Sequence, residues 1–204
     1  MTRVILQRHT HPELDPNKRL CYGWSDINLR AEYRERDLPE VLAQYDDSEA
    51  VGEAVSEAVE GSATIAGLER IERIYSSPLQ RCSRLARDLQ PLTAATEIVY
   101  DERLKELNFG DWESLYWDDI FTMKGSAEWF ADYLNVAAPN GESFIDLYGR
   151  VESFFEMLRE RDEAALVVTH SGVIRAAMSV VGLCELNNVF DNEVKYGGAI
   201  EVEI

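Results

Sequence analysis

The sequence predicts an α/β fold: a three-layer sandwich whose central, mostly parallel sheet is covered by helices on both faces, in one domain spanning residues 1–204. Three observations predict it. Short apolar runs at Val4-Ile5-Leu6, Ile71 to Tyr75 and Ala165 to Thr169 are separated by helix-length amphipathic stretches, the alternation that places a sheet between layers of helices. The last run is continuously apolar, as strands buried on both faces are. Polar residues stand directly after the runs, where an open α/β sheet gathers a ligand site.

Residues 3–7 form the first strand, followed by an irregular loop with Pro12 and Pro16. Residues 32–60 read as helix, because Glu-Ala-Val recurs at 49–51, 53–55 and 57–59 and sets Val51, Val55 and Val59 four apart on one face; Gly61 is the stop. After the strand at Ile71 to Tyr75, Ser76-Ser77-Pro78 reads as an N-cap with proline at the first helical position, and a helix runs from Leu79 to about Leu89. Ile98-Val99-Tyr100 is a short extended piece before the polar turn Asp101-Glu102-Arg103.

From Trp112 to Phe144 aromatic residues are dense (Trp112, Tyr116, Trp117, Phe121, Trp129, Phe130, Tyr133, Phe144) and Lys124 is the only base. Two readings stay open for residues 112–146: an inserted, helical, aromatic-rich lid over the sheet's C-terminal edge, or short helices packed into the core. Pro139 to Ser143 announces a long helix with an apolar stripe at Phe144, Leu147, Tyr148, Val151, Phe155 and Leu158. Ala165 to Thr169 is a buried strand, Ser171-Gly172 opens a helix through Val181, and Ala199 to Ile204 is the last strand.

The net charge is −18, from 20 basic and 38 acidic residues. That excludes recognition of nucleic acid or an anionic membrane through a broad basic surface. The charge is uneven: residues 31–60 hold ten acids against Arg34 and Arg36, whereas 69–105 hold seven bases and six acids. A site for an anion is expected in the second stretch. No run approaches the ~18 apolar residues of a membrane span and the first segment lacks a signal peptide's apolar core, so the expectation is a cytoplasmic protein. Cys21, Cys82 and Cys184 are odd in number and scattered, which points to reduced thiols rather than disulfides or zinc.

Four fragments each place polar residues after a strand or at a helix start: Arg8-His9-Thr10, Ser77-Pro78-Leu79-Gln80-Arg81, Leu104-Lys105-Glu106-Leu107-Asn108-Phe109-Gly110, and Val167-Val168-Thr169-His170-Ser171-Gly172. Strand C-termini of a parallel sheet converge on one edge, so residues 160 apart in sequence can share a site. Together they supply what phosphoryl transfer requires. An imidazole attacks phosphorus and splits one displacement into two. Arginines hold the phosphoryl oxygens bidentately. A carboxylic acid protonates the leaving alkoxide, and a second imidazole donates to the phosphate. Arg8, His9, Arg81, Glu106 and His170 form that set without a metal.

These motifs resemble the histidine phosphatase superfamily, also called phosphoglycerate-mutase-like: Arg-His-Thr after the first strand, Ser-Ser-Pro-Leu-x-Arg, Leu-x-Glu-x-x-x-Gly, and a late strand ending in Thr-His-Ser-Gly, in order from Val4 to about Val181. Within it, Cys21-Tyr22-Gly23-Trp24-Ser25-Asp26 with Leu29 is most similar to the alpha-ribazole phosphatases. The resemblance implies a phosphomonoester hydrolase with His9 as nucleophile, Glu106 as proton donor, His170 as second imidazole, Arg8 and Arg81 as phosphate clamps, and Ser171's backbone N–H at a helix start on the anion. It implies alpha-ribazole 5′-phosphate, in cobalamin synthesis, as substrate, with Tyr22, Trp24 and Ser25 as further substrate contacts and no cofactor or metal. The partner is a small phosphate ester, with no nucleic acid and no membrane; a homodimer is allowed, and the oligomeric state is not legible.

Other readings are weighed against this. Relatives often carry an asparagine soon after the first motif; here Asp15, Pro16 and Asn17 stand nearby, and Asn17's contact is left open. Few bases in 112–146 disfavour a mutase that holds a doubly phosphorylated intermediate, although a mutase-like phosphotransferase or broad sugar phosphatase remains the alternative. His9-x-His11 invites a metal hydrolase, but only His170 is left as a further imidazole ligand; His11 is expected to be a solvated loop residue. Cys21 and Cys82 lack the Cys-x₅-Arg loop of a cysteine phosphatase. A catalytically silent member would be expected to have lost one of the five chemical positions. Trp24 and Trp112 read as packing residues or as stacking partners for a substrate base.

Overall fold

The computed structural model describes residues 2–45, 65 and 67–204, so the Glu-Ala-Val repeat and its stop at Gly61 lie outside the described residues. Five strands, β1 (Arg3–Arg8), β2 (Arg73–Ser76), β3 (Ile98–Tyr100), β4 (Ala165–Thr169) and β5 (Ala199–Glu203), form one sheet in the order β3-β2-β4-β1-β5. The β1–β4, β2–β4 and β2–β3 pairs are parallel, and β5 runs antiparallel to β1 at the edge. The mostly parallel sheet of the sequence reading is thus present.

Alternation along the strands divides two cores. Val4, Leu6 and Val167 face one cluster, built with α6 (Phe144–Arg159) and α7 (Ser171–Val180). Ile5, Ile74, Leu166 and Val168 face the other, built with α1 (Tyr33–Arg36), α2 (Leu38–Leu42) and α3 (Gln80–Leu89). The sheet is therefore the middle of three layers, and β4 is buried at every position. Ser143 and Asp146 close a reciprocal capping box at the start of α6, and of the predicted stripe, Phe144, Leu147, Val151, Phe155 and Leu158 are buried while Tyr148 is half-buried. Among the described residues no helix is long and apolar enough to cross a membrane.

Three local expectations are corrected. The helix predicted from residue 32 is broken at Asp37, and α2 carries Pro39 in its first turn; proline has no N–H to continue the hydrogen-bond ladder of α1. Asp37 is buried and ion-paired with Arg30. Ser76-Ser77-Pro78 does not cap the next helix: α3 begins at Gln80 with Leu79 as N-cap, and the Ser77 hydroxyl accepts from Leu79 N at 3.4 Å while lying 2.8 Å from His170 Nε2. The strand expected from Ile71 begins at Arg73.

The aromatic segment forms two short helices, α4 (Trp117–Ile120) and α5 (Ser126–Ala131). Trp112, Ile120 and Trp129 are buried in the cluster shared with α6 and α7, with Trp112 and Trp129 edge to face at 5.5 Å. Tyr116, Phe121 and Met123 stay exposed. A bridge between Leu20 and Tyr116 ties this segment to the loop after β1.

Gly110 is where the two parts of the chain are pressed together. Its φ is +53°, and a Cβ there would lie 2.1 Å from the Pro139 carbonyl oxygen. Gly110→Ala is expected to cost more than the roughly 1–2 kcal/mol of left-handed backbone alone. Urea denaturation checks this: the midpoint falls in the variant, and an unchanged midpoint contradicts the packing described.

Candidate active site

The register of β1 on β4 sets Arg8 opposite Thr169. The next residues, His9 and His170, therefore leave the sheet side by side, their ring centroids 5.2 Å apart. His9 is 2 % exposed. Its Nδ1 lies 2.7 Å from the Thr10 carbonyl oxygen; a carbonyl only accepts, so Nδ1 carries the proton and Nε2 keeps its lone pair. Burial, reinforced by the charges of Arg81 and Arg8, holds the His9 imidazole well below the usual histidine range, against the opposing pull of the Thr10 bond. The result is a neutral, oriented imidazole whose Nε2 keeps its lone pair.

His170 is fully buried and neutral for the same reasons, burial first and Arg81 second. Its Nδ1 accepts from Arg81 Nε at 3.2 Å, so its Nε2–H donates to Ser77 Oγ at 2.8 Å. Arg81 is fully buried too. It donates through Nη1 to the Ser25 carbonyl (2.8 Å) and through Nη2 to those of Gly23 (2.6 Å) and Tyr22 (3.4 Å). Of the five guanidinium N–H groups, one on Nη1 is left for a ligand. Arg81 thus holds the 22–25 loop and His170 together as well as lining the site. Cys82 touches both His170 nitrogens, but burial pushes its thiol upward, as it does at Cys21; neither is a thiolate nucleophile.

Arg8 lies flat over the Tyr196 ring, 3.8 Å from its centroid. One Nη1–H donates to the Val194 carbonyl, and its buried Nε has no partner among the described residues. An unsatisfied buried donor on a cation is costly, and an anion beside it removes that cost. Arg8, His9, Arg81, Glu106 and Ser171 line one cavity of about 190 Å³. The Glu106 carboxylate is fixed by the backbone N–H groups of Leu107 (3.0 Å) and Gly172 (3.2 Å). A Cβ at Gly172 would fall 2.2 Å from Glu106 Oε1, so only glycine allows α7 to hold the carboxylate this closely.

The structure brings Arg8, His9, Tyr22, Arg81, Glu106 and Ser171 to the cavity wall, with His170 behind His9 and Arg81. Trp24 and Ser25 do not line it. Trp24 donates its indole N–H to the Glu106 carbonyl (2.8 Å), and Ser25 holds Arg81 through its carbonyl and Glu113 through its hydroxyl. Asn17 is exposed and bonds Asp15. His11 is not simply solvated, since it pairs with Asp37 at 3.4 Å and packs 4.8 Å from the Tyr196 ring. Trp112 is fully buried core.

Three residues escaped the sequence reading. Tyr196 supports Arg8, packs 5.6 Å from the His9 ring and bonds the Tyr22 hydroxyl; nothing in its local sequence marks it. Arg175 lines the cavity, and its spacing of four from Ser171 on α7 was the available signal. Arg150 grips Glu142 bidentately and donates to the carbonyls of Arg103, Lys105 and Glu106, fixing the strand of chain that carries Glu106.

The sequence profile described as the Histidine phosphatase superfamily (branch 1) matches residues 47–204. Phosphoserine phosphatase 1 of Hydrogenobacter thermophilus is 28% identical over 180 residues, 86% of this chain and 74% of that protein. A metal-independent phosphoserine phosphatase of Arabidopsis thaliana is 31% identical over 113 residues, 53% of this chain and 48% of that protein. Among solved structures, the alpha-ribazole phosphatase of Shigella flexneri superposes with a TM-score of 0.76 at 21% identity, covering 100% of this chain and 91% of that one. That last likeness is one of fold.

The electrostatics set a direct test. At pH 6.5, where an ordinary histidine is about half protonated, His9 in the ligand-free protein is expected to remain the neutral Nδ1–H tautomer. Nitrogen-15 NMR of the imidazoles reads this, and an imidazolium signal from His9 at that pH contradicts the site described.

Proposed function

The chain belongs to the histidine phosphatase superfamily (branch 1), and from that premise we propose that it hydrolyses phosphate monoesters through a phosphohistidine formed on His9. The observation that carries the reading is the His9 imidazole, with Nδ1–H committed to Thr10 and Nε2 unprotonated beside Arg8, whose Nε lacks a partner. The Nε2 lone pair attacks phosphorus as the ester P–O bond breaks, and Glu106 delivers a proton to the departing alkoxide. Arg8 and the remaining Arg81 N–H hold the phosphoryl oxygens, and the Ser171 end of α7 adds its backbone dipole. Water then attacks phospho-His9, with Glu106 as base, and releases inorganic phosphate. His170, neutral and held between Arg81 and Ser77, keeps the neighbouring ring and guanidinium in place. The charge that a metal supplies in other phosphatases comes here from arginine.

For the substrate, the finer reading is alpha-ribazole 5′-phosphate. It rests on the resemblance of the Cys21-Tyr22-Gly23-Trp24-Ser25-Asp26 stretch; of the three substrate contacts expected there Tyr22 lines the cavity, whereas Trp24 and Ser25 are bound to Glu106, Arg81 and Glu113. Relatives named for phosphoserine make phosphoserine the comparison ester.

His9→Ala is expected to abolish hydrolysis of both alkyl and aryl phosphates; retained turnover contradicts the nucleophile assignment. Glu106→Gln separates the two classes of ester. Loss of a general acid lowers kcat/KM, which reports the phosphorylation of His9 and not the shared hydrolysis step, by about 10²–10⁴ for an alkyl phosphate, and far less for 4-nitrophenyl phosphate, whose phenolate leaves without a proton. Equal losses on both esters contradict the role given to Glu106.

A further inference from the structure

Beside the catalytic cavity lies a much larger one, about 1130 Å³ against about 190 Å³. Leu20, Tyr22 and Trp117 line both, and Tyr196, packed on the His9 ring, lines the larger. The Tyr22 and Tyr196 hydroxyls are hydrogen-bonded to one another, so this pair stands where the two spaces meet. The small cavity holds the equivalent of about six waters at ~30 Å³ each, room for a phosphoryl group and the first atoms of its alcohol. The larger one exceeds the roughly 300–1,000 Å³ usual for a drug-sized ligand.

One wall of the large cavity is aromatic. Trp117, Phe121, Trp129 and Phe130 form it, with Phe121 and Phe130 stacked at 4.5 Å and Trp117 tilted 30° from Trp129. Phe121 nevertheless leaves 51 % of its surface exposed. Apolar surface concentrated at a concave site marks where a ligand is covered. Charge on the lining does not choose the ligand, because Lys18, Arg19, Arg30 and Arg36 are mixed with Glu13, Asp15 and Glu32, and Arg19 and Arg30 are already paired with Asp118 and Asp37.

We propose that the large cavity receives the alcohol part of the phosphomonoester, and that this part carries a flat aromatic ring seated against Phe121 and Phe130. The proposal rests on the phosphatase reading, but not on which ester is used in the cell. It separates the esters this site takes by size: a short alcohol such as that of phosphoserine stays in the small cavity and leaves the aromatic wall uncovered.

The test uses ethyl, 2-phenylethyl and 2-(2-naphthyl)ethyl phosphate, primary-alcohol esters that differ in the ring they carry. The expected kcat/KM rises from the first to the last by about tenfold or more, the scale of one or two aromatic contacts. Phe121→Ala and the Phe121→Ala/Phe130→Ala double variant lower the ratio of naphthylethyl to ethyl phosphate by about fivefold to tenfold. Equal kcat/KM across the three esters in the wild type overturns the proposal, as does a high ratio that survives the double variant. No turnover of any ester, with no effect of His9→Ala, indicts the phosphatase reading instead.

Discussion

Parallel pairing of β1 with β4 is the constraint on which the site depends. Arg8 opposite Thr169 places two imidazoles at one sheet edge with their centroids 5.2 Å apart. A one-residue slip in that register would turn the side chains of β1 to the opposite faces. It would also part His9 from His170 and put Val4, Ile5 and Leu6 into the wrong cores. The two apolar clusters that hold the sheet therefore also hold the residues at its edge, and the turn leading into β5 pins the far side through His9's own carbonyl, which accepts from Gly197 N at 3.0 Å.

That sheet edge concentrates positive charge in a chain of net charge −18. Arg8, Arg81 and Arg175 share one small cavity, and Glu106 is the acid among them. Burial beside these cations keeps both imidazoles neutral. Arg8 carries a buried Nε–H without a partner among the described residues, at a cost on the order of 1–3 kcal/mol.

How much of this was legible in the sequence follows from the range of the forces involved. Strands and helices whose apolar pattern is local, such as Ala165 to Thr169 and the helix after Ser143, were read nearly to the residue. His9, Arg81, Glu106 and His170 were found because each follows a strand or opens a helix within a recognisable motif. Ser77 is not the cap because the helix opens only at Gln80, after Leu79; the contact of its hydroxyl with His170, 93 positions away, is not legible locally. Tyr196 and Arg150 were invisible for the same reason: their partners are set by tertiary contact, and nothing adjacent in sequence announces it. The aromatic 112–146 segment was ambiguous because it does two things, burying Trp112 and Trp129 while leaving Phe121 exposed.

The central claim is that His9 carries phosphate on Nε2 while Nδ1 is held by Thr10. Rapid mixing with a phosphorus-32-labelled monoester, quenching in alkaline denaturant and locating the label by peptide mass spectrometry and phosphorus-31 NMR test it directly. The account predicts a base-stable, acid-labile phosphoryl group on Nε2 of His9. Label on Nδ1 of His9, label on any other residue, or turnover without a labelled enzyme contradicts it.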